Sequence, residues 1–318
     1  MSLRPLFTLL APAGVRARLN ILIFHRVLPA PDPLFPSEID AAMFDAICGW
    51  LKAWFQVLPL DEAVRRLSER SLPARALAIT FDDGYADNEQ VALPILQRHG
   101  LCATFFVATG FLDGGRMWND SLIETVRRSS RTRVDLQGLD LPLPPSLALD
   151  STAQRRQAID GLIGAIKYLP VEQRQRLCEE LAERAAVRLP DDLMMSSDQV
   201  VALRRAGMQV GAHTVSHPIL ARLDAESMRA EIAASKMQLE HLLGEPVDLF
   251  AYPNGKPGED YNDTSVAVAR SLGFKAAVST AWGAARADAD LFQLPRFTPW
   301  DRSRLRFGGR LAHNLWAR

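Results

Sequence analysis

Short apolar runs of strand length recur along the chain, and most lead into a stretch whose apolar residues repeat at helical spacing. The runs predict strands over residues 21–27, 76–82, 103–109, 208–214, 249–253, 276–280 and 293–297. They are too uniformly apolar to alternate cleanly, which is the pattern of strands buried on both faces of a largely parallel sheet. Between them the periodicity predicts helices over residues 41–54, 61–70, 88–99, 198–206, 224–243 and 264–272. Gly100, Gly207, Gly244 and Gly273 each follow the last periodic residue and supply the usual helix stop. A βαβα rhythm of this kind builds an open doubly wound sheet or a barrel.

The rhythm breaks over residues 114–196. That stretch carries no clear buried strand but has a Pro/Leu-rich loop, residues 139–149, and two charged helical segments, residues 153–168 and 171–187. It reads as a helical insertion in a single domain spanning residues 1–318, either a buttress for the core or a platform beside a cleft.

Composition narrows the class. The chain has 318 residues, 48% of them hydrophobic, and 37 basic against 37 acidic side chains. A chain of this size buries a large core without disulfides or a structural metal, and a net charge of zero argues against bulk nucleic-acid binding. Cys48, Cys102 and Cys178 are odd in number and far apart, so free thiols in a reducing compartment are expected. No run reaches the ~18 uncharged apolar residues of a membrane-spanning helix. Residues 5–11 are apolar and follow Arg4, but they are short for a secretion signal and Thr8 interrupts them. A cytoplasmic protein is therefore expected, with export as the alternative. Charge is uneven: residues 1–31 hold Arg4, Arg16, Arg18 and Arg26 and no acid, and residues 296–318 hold six arginines against Asp301. These basic ends are either solvated surface or a contact with an anionic inner-membrane face.

Two segments carry the candidate chemistry. In residues 78–85, AITFDDGY, two adjacent aspartates follow an apolar strand directly. The carboxyl ends of parallel strands are where α/β folds bind ligands. Side chains alternate along an extended chain, so Asp82 and Asp83 point different ways, and one can hold a metal while the other handles protons. In residues 211–218, GAHTVSHP, Pro218 rules out a helical HxxxH. His213 at a strand end and His217 in the loop can still converge on one ion, zinc being the common choice. A third segment, FAYPNG at residues 250–255, ends another strand in a tight loop whose amides could face a developing oxyanion. Taken singly, a turn or a core histidine explains each; together they point to a site.

TFDDG, then HxxxH, then a Pro-Gly loop on successive β/α units resembles the polysaccharide deacetylase (NodB homology) family, carbohydrate esterase family 4, over roughly residues 18–110 and 195–300. The FAYPNG loop and the insertion resemble its exopolysaccharide-associated branch. The resemblance implies an α/β fold, a distorted (β/α)7-type barrel with a helical insertion. It also implies a hydrolase removing N-acetyl groups from amino sugars of a bacterial polysaccharide or its lipid-linked precursor. Asp82 would be the general base, and Asp83, His213 and His217 the ligands of a divalent metal, zinc most often, with cobalt or nickel as substitutes. Tyr252, Pro253 and Asn254 would line the oxyanion. The general acid is a histidine, with His25 at the end of the first strand a better fit than His313 in the Arg-rich tail. Where relatives carry an arginine that orients the base, this chain has Ala251, and Arg296 could supply that charge from the last strand. Trp118 and Asp120 are read as sugar contacts or as core packing and a helix cap. Rival readings are hydrolysis of another acyl or amide group, as by an O-acetyl esterase or deformylase, and a carbohydrate-binding protein without turnover.

Overall fold

The structure, a computed structural model, describes residues 3–316. In chain order its strands are β1 (Arg18–Phe24), β2 (Gln56–Val57), β3 (Ala76–Phe81), β4 (Thr104–Val107), β5 (Arg133–Asp135), β6 (Ser146–Ala148), β7 (Gln209–Ala212), β8 (Leu249–Ala251), β9 (Ala276–Val278) and β10 (Ala285–Arg286). Its helices are α1 (Arg4–Leu10), α2 (Ala41–Trp54), α3 (Leu60–Ser68), α4 (Leu93–His99), α5 (Trp118–Arg128), α6 (Thr152–Ile166), α7 (Val171–Arg184), α8 (Ser197–Arg205), α9 (Ala225–Leu243), α10 (Asp263–Ser271) and α11 (Arg304–Trp316). No helix among the described residues is long and apolar enough to cross a membrane.

Two compact units emerge. The larger comprises residues 3–30, 39–112 and 195–316; the smaller comprises residues 31–38 and 113–194.

The larger unit is a curled half-barrel whose sheet runs β10-β1-β3-β4-β7-β8-β9, with β2 also on β3. All pairings along it are parallel except β1 with β10. The predicted strand at residues 293–297 is not a strand but an extended connector that spans the open edge. Leu294 N–H donates to Ala277 O at 3.0 Å on one side, and Phe297 N–H donates to Ile21 O at 2.9 Å on the other. Pro295 has no N–H to donate, so a regular ladder cannot form there.

Alternate strand residues face two layers. Leu19, Ile21, Ala78, Phe106, Ala251 and Val278 belong to the cluster inside the barrel. Phe24, Phe81, Phe105 and Phe250 face the helices outside it. Phe81 stacks on Phe105 with centroids 4.8 Å apart and meets Phe24 at 5.4 Å. Burying each such ring is worth about 1.5–3 kcal/mol, which pins the register of β1, β3 and β4 and so the residues that follow them. Gly211 lies where a Cβ would come within 2.5 Å of the Phe106 ring, so the inward face of β7 admits no side chain there.

In the smaller unit, α5, α6 and α7 pack around Leu122, Val126, Ile159, Leu162 and Leu181, with the β5–β6 hairpin alongside. Trp118 lies against this cluster with the Arg174 guanidinium 5.1 Å from its ring. Asp120 is buried within the first turn of α5 and is not its cap. The hairpin falls where the sequence predicts only loop. All three cysteines are free thiols, Cys48 and Cys178 buried and Cys102 half-buried.

Candidate active site

Asp82 and Asp83 follow β3 directly. Asp82 N–H extends the β1–β3 ladder to Phe24 O at 2.9 Å, while the chain turns at Asp83 (φ 76°) and Gly84 (φ 89°). Thr214, His217 and Asn254, in the loops after β7 and β8, are also left-handed (φ 67°, 53° and 56°). Non-glycine residues pay for that conformation and cluster where function holds them. The loop after β7 is secured from α9: Glu231 accepts the N–H groups of Val215 and Ser216, both at 2.9 Å.

Asp82 and Arg296 form the most heavily bonded buried pair of the site. Arg296 is 1% exposed, and its two terminal nitrogens each donate to one oxygen of Asp82 at 2.7 Å. Its Nε–H donates to Ser279 O at 2.9 Å and a further N–H to Thr80 Oγ1 at 3.2 Å. The guanidinium is therefore satisfied and immobile, as a desolvated ion pair requires. Burial alone would raise the Asp82 carboxyl, but the charge of Arg296, aided by His213, more than offsets it and holds Asp82 below the usual carboxylate range. The position within FAYPNG where the family resemblance places an arginine is Ala251, and its carbonyl serves another purpose: it accepts from His213 Nδ1 at 2.8 Å.

That bond sets the tautomer. With Nδ1 protonated, Nε2 of His213 carries a lone pair, fully buried and without a hydrogen-bond partner. It lies 3.4 Å from Asp83 Oδ1, and His217 Nε2 lies 3.5 Å from the same oxygen. One ligand atom from each of Asp83, His213 and His217 falls within 4.8 Å of the others, the only such group among the described residues. Three electron-pair donors facing one another, one of them orphaned in the interior, suit a cation between them. Burial lowers the affinity of His213 for a proton, yet Asp82 and Asp83 outweigh it and raise its pKa, so the same negative field that would favour a cation here also favours a proton on His213. Burial pushes His217 down to about 4 despite Asp83, so it is a neutral imidazole, the ligating form, at neutral pH. Asp83 is held below the usual range because the two imidazoles outweigh the cost of its burial.

His25 follows β1 and is exposed, and its charge contributes to the fields at Asp82, Asp83 and His217. His313 is exposed on α11; the adjacent Asn314 bonds Asn20 near the start of β1 and Gly283, at 2.9 and 3.0 Å. It is thus on the wall of the barrel, away from the strand ends that carry the other residues.

The oxyanion loop is narrower than its sequence implied. Tyr252 uses its N–H on Val278 O at 3.2 Å and its hydroxyl on Phe292 O at 2.9 Å, and its ring stacks on Tyr261 at 3.9 Å. Pro253 has no N–H. Asn254, exposed, is the one residue of the three whose amide is not already committed.

Two residues went unnoticed in the sequence. Asp87 and Asn88 enter a π-helical turn, Asn88–Ala92, and grip the chain around His25. Asn88 Nδ2 donates to His25 O at 2.9 Å. Asp87 accepts from Val27 N–H at 3.2 Å and from Arg26 Nε at 2.8 Å, while burial raises its pKa against the pull of Arg26. Locally they are two of the four polar residues, Asp87, Asn88, Glu89 and Gln90, that open an amphipathic segment, and nothing in the sequence sets them apart.

A family model described as polysaccharide deacetylase matches residues 69–157 and 173–277 of this chain. The chain is 23% identical over 282 residues to YxkH of Bacillus subtilis (strain 168), which is named for polysaccharide deacetylation, with 88% of this chain and 71% of that protein covered. Among solved structures, the Streptococcus pyogenes deacetylase PplD, in complex with acetate, superposes with a TM-score of 0.62 at 22% identity, covering 94% of this chain and 99% of that one. IcaB from Ammonifex degensii gives 0.61 at 20% identity, with 96% and 99% covered. At these identities the structural likeness speaks to the fold, the curled half-barrel described above.

Proposed function

The chain belongs to the polysaccharide deacetylase family, and from that we propose that it removes N-acetyl groups from amino sugars of a bacterial exopolysaccharide or its lipid-linked precursor with the help of a divalent metal. The observation that carries this reading is the pairing of two differently furnished carboxylates at one strand end. Asp82 is clamped by Arg296, and Asp83 faces the orphaned Nε2 of His213.

Asp83, His213 and His217 would hold the cation, most often zinc for such donors, with cobalt or nickel as substitutes. When bound, it supplies Lewis-acid polarisation of the acyl carbonyl and a more acidic water. The remaining work falls to the chain. Asp82, kept ionised by Arg296, accepts the proton of the attacking water. The Asn254 N–H offers a hydrogen bond where negative charge develops on the carbonyl oxygen. His25 delivers a proton to the departing amine, and Asp87 and Asn88 keep its backbone in place. Arg296 also fixes the orientation of Asp82 by engaging both its oxygens, which distinguishes it from Asp83.

The test is acetate release from N-acetylglucosamine oligomers by metal-stripped protein, with and without Zn²⁺ or Co²⁺, beside Asp82→Asn. Metal-dependent acetate that the substitution abolishes is the expected result. Zinc bound with no acetate released would overturn the acyl-group assignment and favour another ester or amide. Failure to bind zinc at all would overturn the metal assignment.

A further inference from the structure

Apart from Arg26 and Arg296, the arginines of the basic ends do not enter the site, and the fold joins the two terminal helices. Helices α1 and α11 pack together, with Phe7 and Phe307 both fully buried and Gly308 lying where a Cβ would strike Leu3. Their outward residues are apolar to a degree unusual for a surface. Leu9 is 78% exposed, and Leu305 and Trp316 are each 71% exposed. Leu305 and Trp316 are eleven positions apart on α11, about three helical turns, and so share one face. Trp300 extends the group: it lies under the Arg310 guanidinium at 4.1 Å and beside the equally exposed Trp282 at 6.1 Å. With Leu6, also on α1, six of the ten large exposed apolar side chains among the described residues lie on α1, on α11 or at the Trp282–Trp300 corner.

Charge on the same elements is one-sided. Arg304 and Arg306 are exposed, and the single acid of residues 296–318, Asp301, is paired with Arg310. Just beyond α1, Val15, Arg16, Arg18, Arg70 and Arg286 line a cavity of about 440 Å³ with one acid, Asp288. Arg18 and Arg286 face each other directly across the antiparallel register.

We propose that α1, α11 and the Trp282–Trp300 corner form a docking surface for an anionic lipid bilayer. The exposed Leu and Trp side chains enter the headgroup boundary, the arginines meet lipid phosphates, and the arginine-lined cavity receives a headgroup. A protein with no net charge that concentrates exposed tryptophan, leucine and arginine on one pair of helices has the composition of an interfacial binder. A second copy of the chain is the poorer occupant, since it would set one arginine-rich face against another.

The experiment is co-sedimentation of the full chain with phosphatidylcholine vesicles that contain phosphatidylglycerol, against phosphatidylcholine alone. Binding is expected only with the anionic lipid, weakening with added salt. Arg304→Gln and Arg306→Gln should each lower partitioning about fivefold, the usual effect of one cation at an anionic surface. Leu9→Ser and Trp316→Ser should lower it as well, and tryptophan emission should shift to the blue on binding. All four positions are exposed, so acetate release from soluble oligomers should not change, and thermal melts should shift little, Arg304→Gln losing only the contact over the Trp54 ring. Equal binding to both vesicle types, or binding that none of the four substitutions reduces, overturns the proposal. So does a dimer in solution that Leu9→Ser dissociates while vesicle binding is absent. Vesicle binding is read without turnover, so its failure and that of the deacetylase reading are separable.

Discussion

Arg296→Met removes the cation that Asp82 depends on while nearly keeping the volume of the side chain. Three bonds from the guanidinium to Asp82 and Thr80, at 2.7, 2.7 and 3.2 Å, are lost together with the one to Ser279 O at 2.9 Å. Leaving one member of a buried ion pair unmatched costs about 3–5 kcal/mol. The loss should depend on pH, and its sign follows from linkage. In the native protein Asp82 titrates below its ordinary 3.8, so its contribution to stability is present above that value and disappears only as the pH falls through the lower folded value. In the variant, burial is opposed only by the weaker pull of His213 and His25, so the carboxyl rises from its native value, the folded state holds its proton longer and the stability that Asp82 contributes near neutrality shrinks. The difference between the proteins is therefore greatest near neutrality and narrows in acid. Urea titrations at pH 7 and pH 4 measure it. Turnover should fall by about 100-fold or more, the scale of a lost general base, and the acid limb of the kcat/KM profile should move to higher pH with little change in KM. Asp82→Asn combined with Arg296→Met should recover most of the stability and none of the turnover. A loss under about 1 kcal/mol, typical of a surface arginine, with an unmoved pH profile, would refute the reasoning.

Other expectations test the remaining parts of the site. His25→Ala should reduce turnover about 100-fold or more without lowering zinc affinity, whereas His313→Ala should leave both unchanged; the reverse would move the acid to α11. Asn88→Ala releases the carbonyl of His25, so kcat should fall with KM and metal binding steady, as steady-state kinetics and zinc titration would show. Removing metal with a chelator should abolish acetate release, and restoring zinc at about 100 times its dissociation constant should stabilise the protein by about 2.7 kcal/mol; His213→Ala should lose that gain. Gly84→Ala forces a Cβ into a left-handed position (φ 89°) 3.1 Å from Val107 Cγ1, and thermal melts should show a loss of about 1–2 kcal/mol.

How much of this was readable from the chain depends on the distance over which each feature is determined. The runs behind β1, β3, β4, β7, β8 and β9 are visible because strands buried on both faces must be apolar throughout, and this burial is a local demand. The helix over residues 41–54 is marked with equal clarity by its period and by Asp40, whose side chain accepts from Met43 N–H at 2.8 Å. Asp82, Asp83, His213 and His217 announce themselves by standing where apolar strands end, whatever the rest of the fold does. Features set by partners far along the chain left no such trace. Strands β2 and β10, two residues each, are too short for any period. Helix α11 contains Gly308 and Gly309, poor helix formers, and exists because Phe307, Leu311 and Leu315 find a buried seat. Arg296 was legible only through the family resemblance, as a substitute for the arginine missing at Ala251, since nothing local in the sequence marks it. Only closure of the half-barrel edge by residues 294–298 brings it, across 214 positions, onto both oxygens of Asp82. The same folding commits the N–H and hydroxyl of Tyr252 to the core and sets Asn88 against His25. Residue types state which chemistry is available; which groups remain free to perform it is decided by hydrogen bonds between distant segments, and those exist only once the sheet has curled.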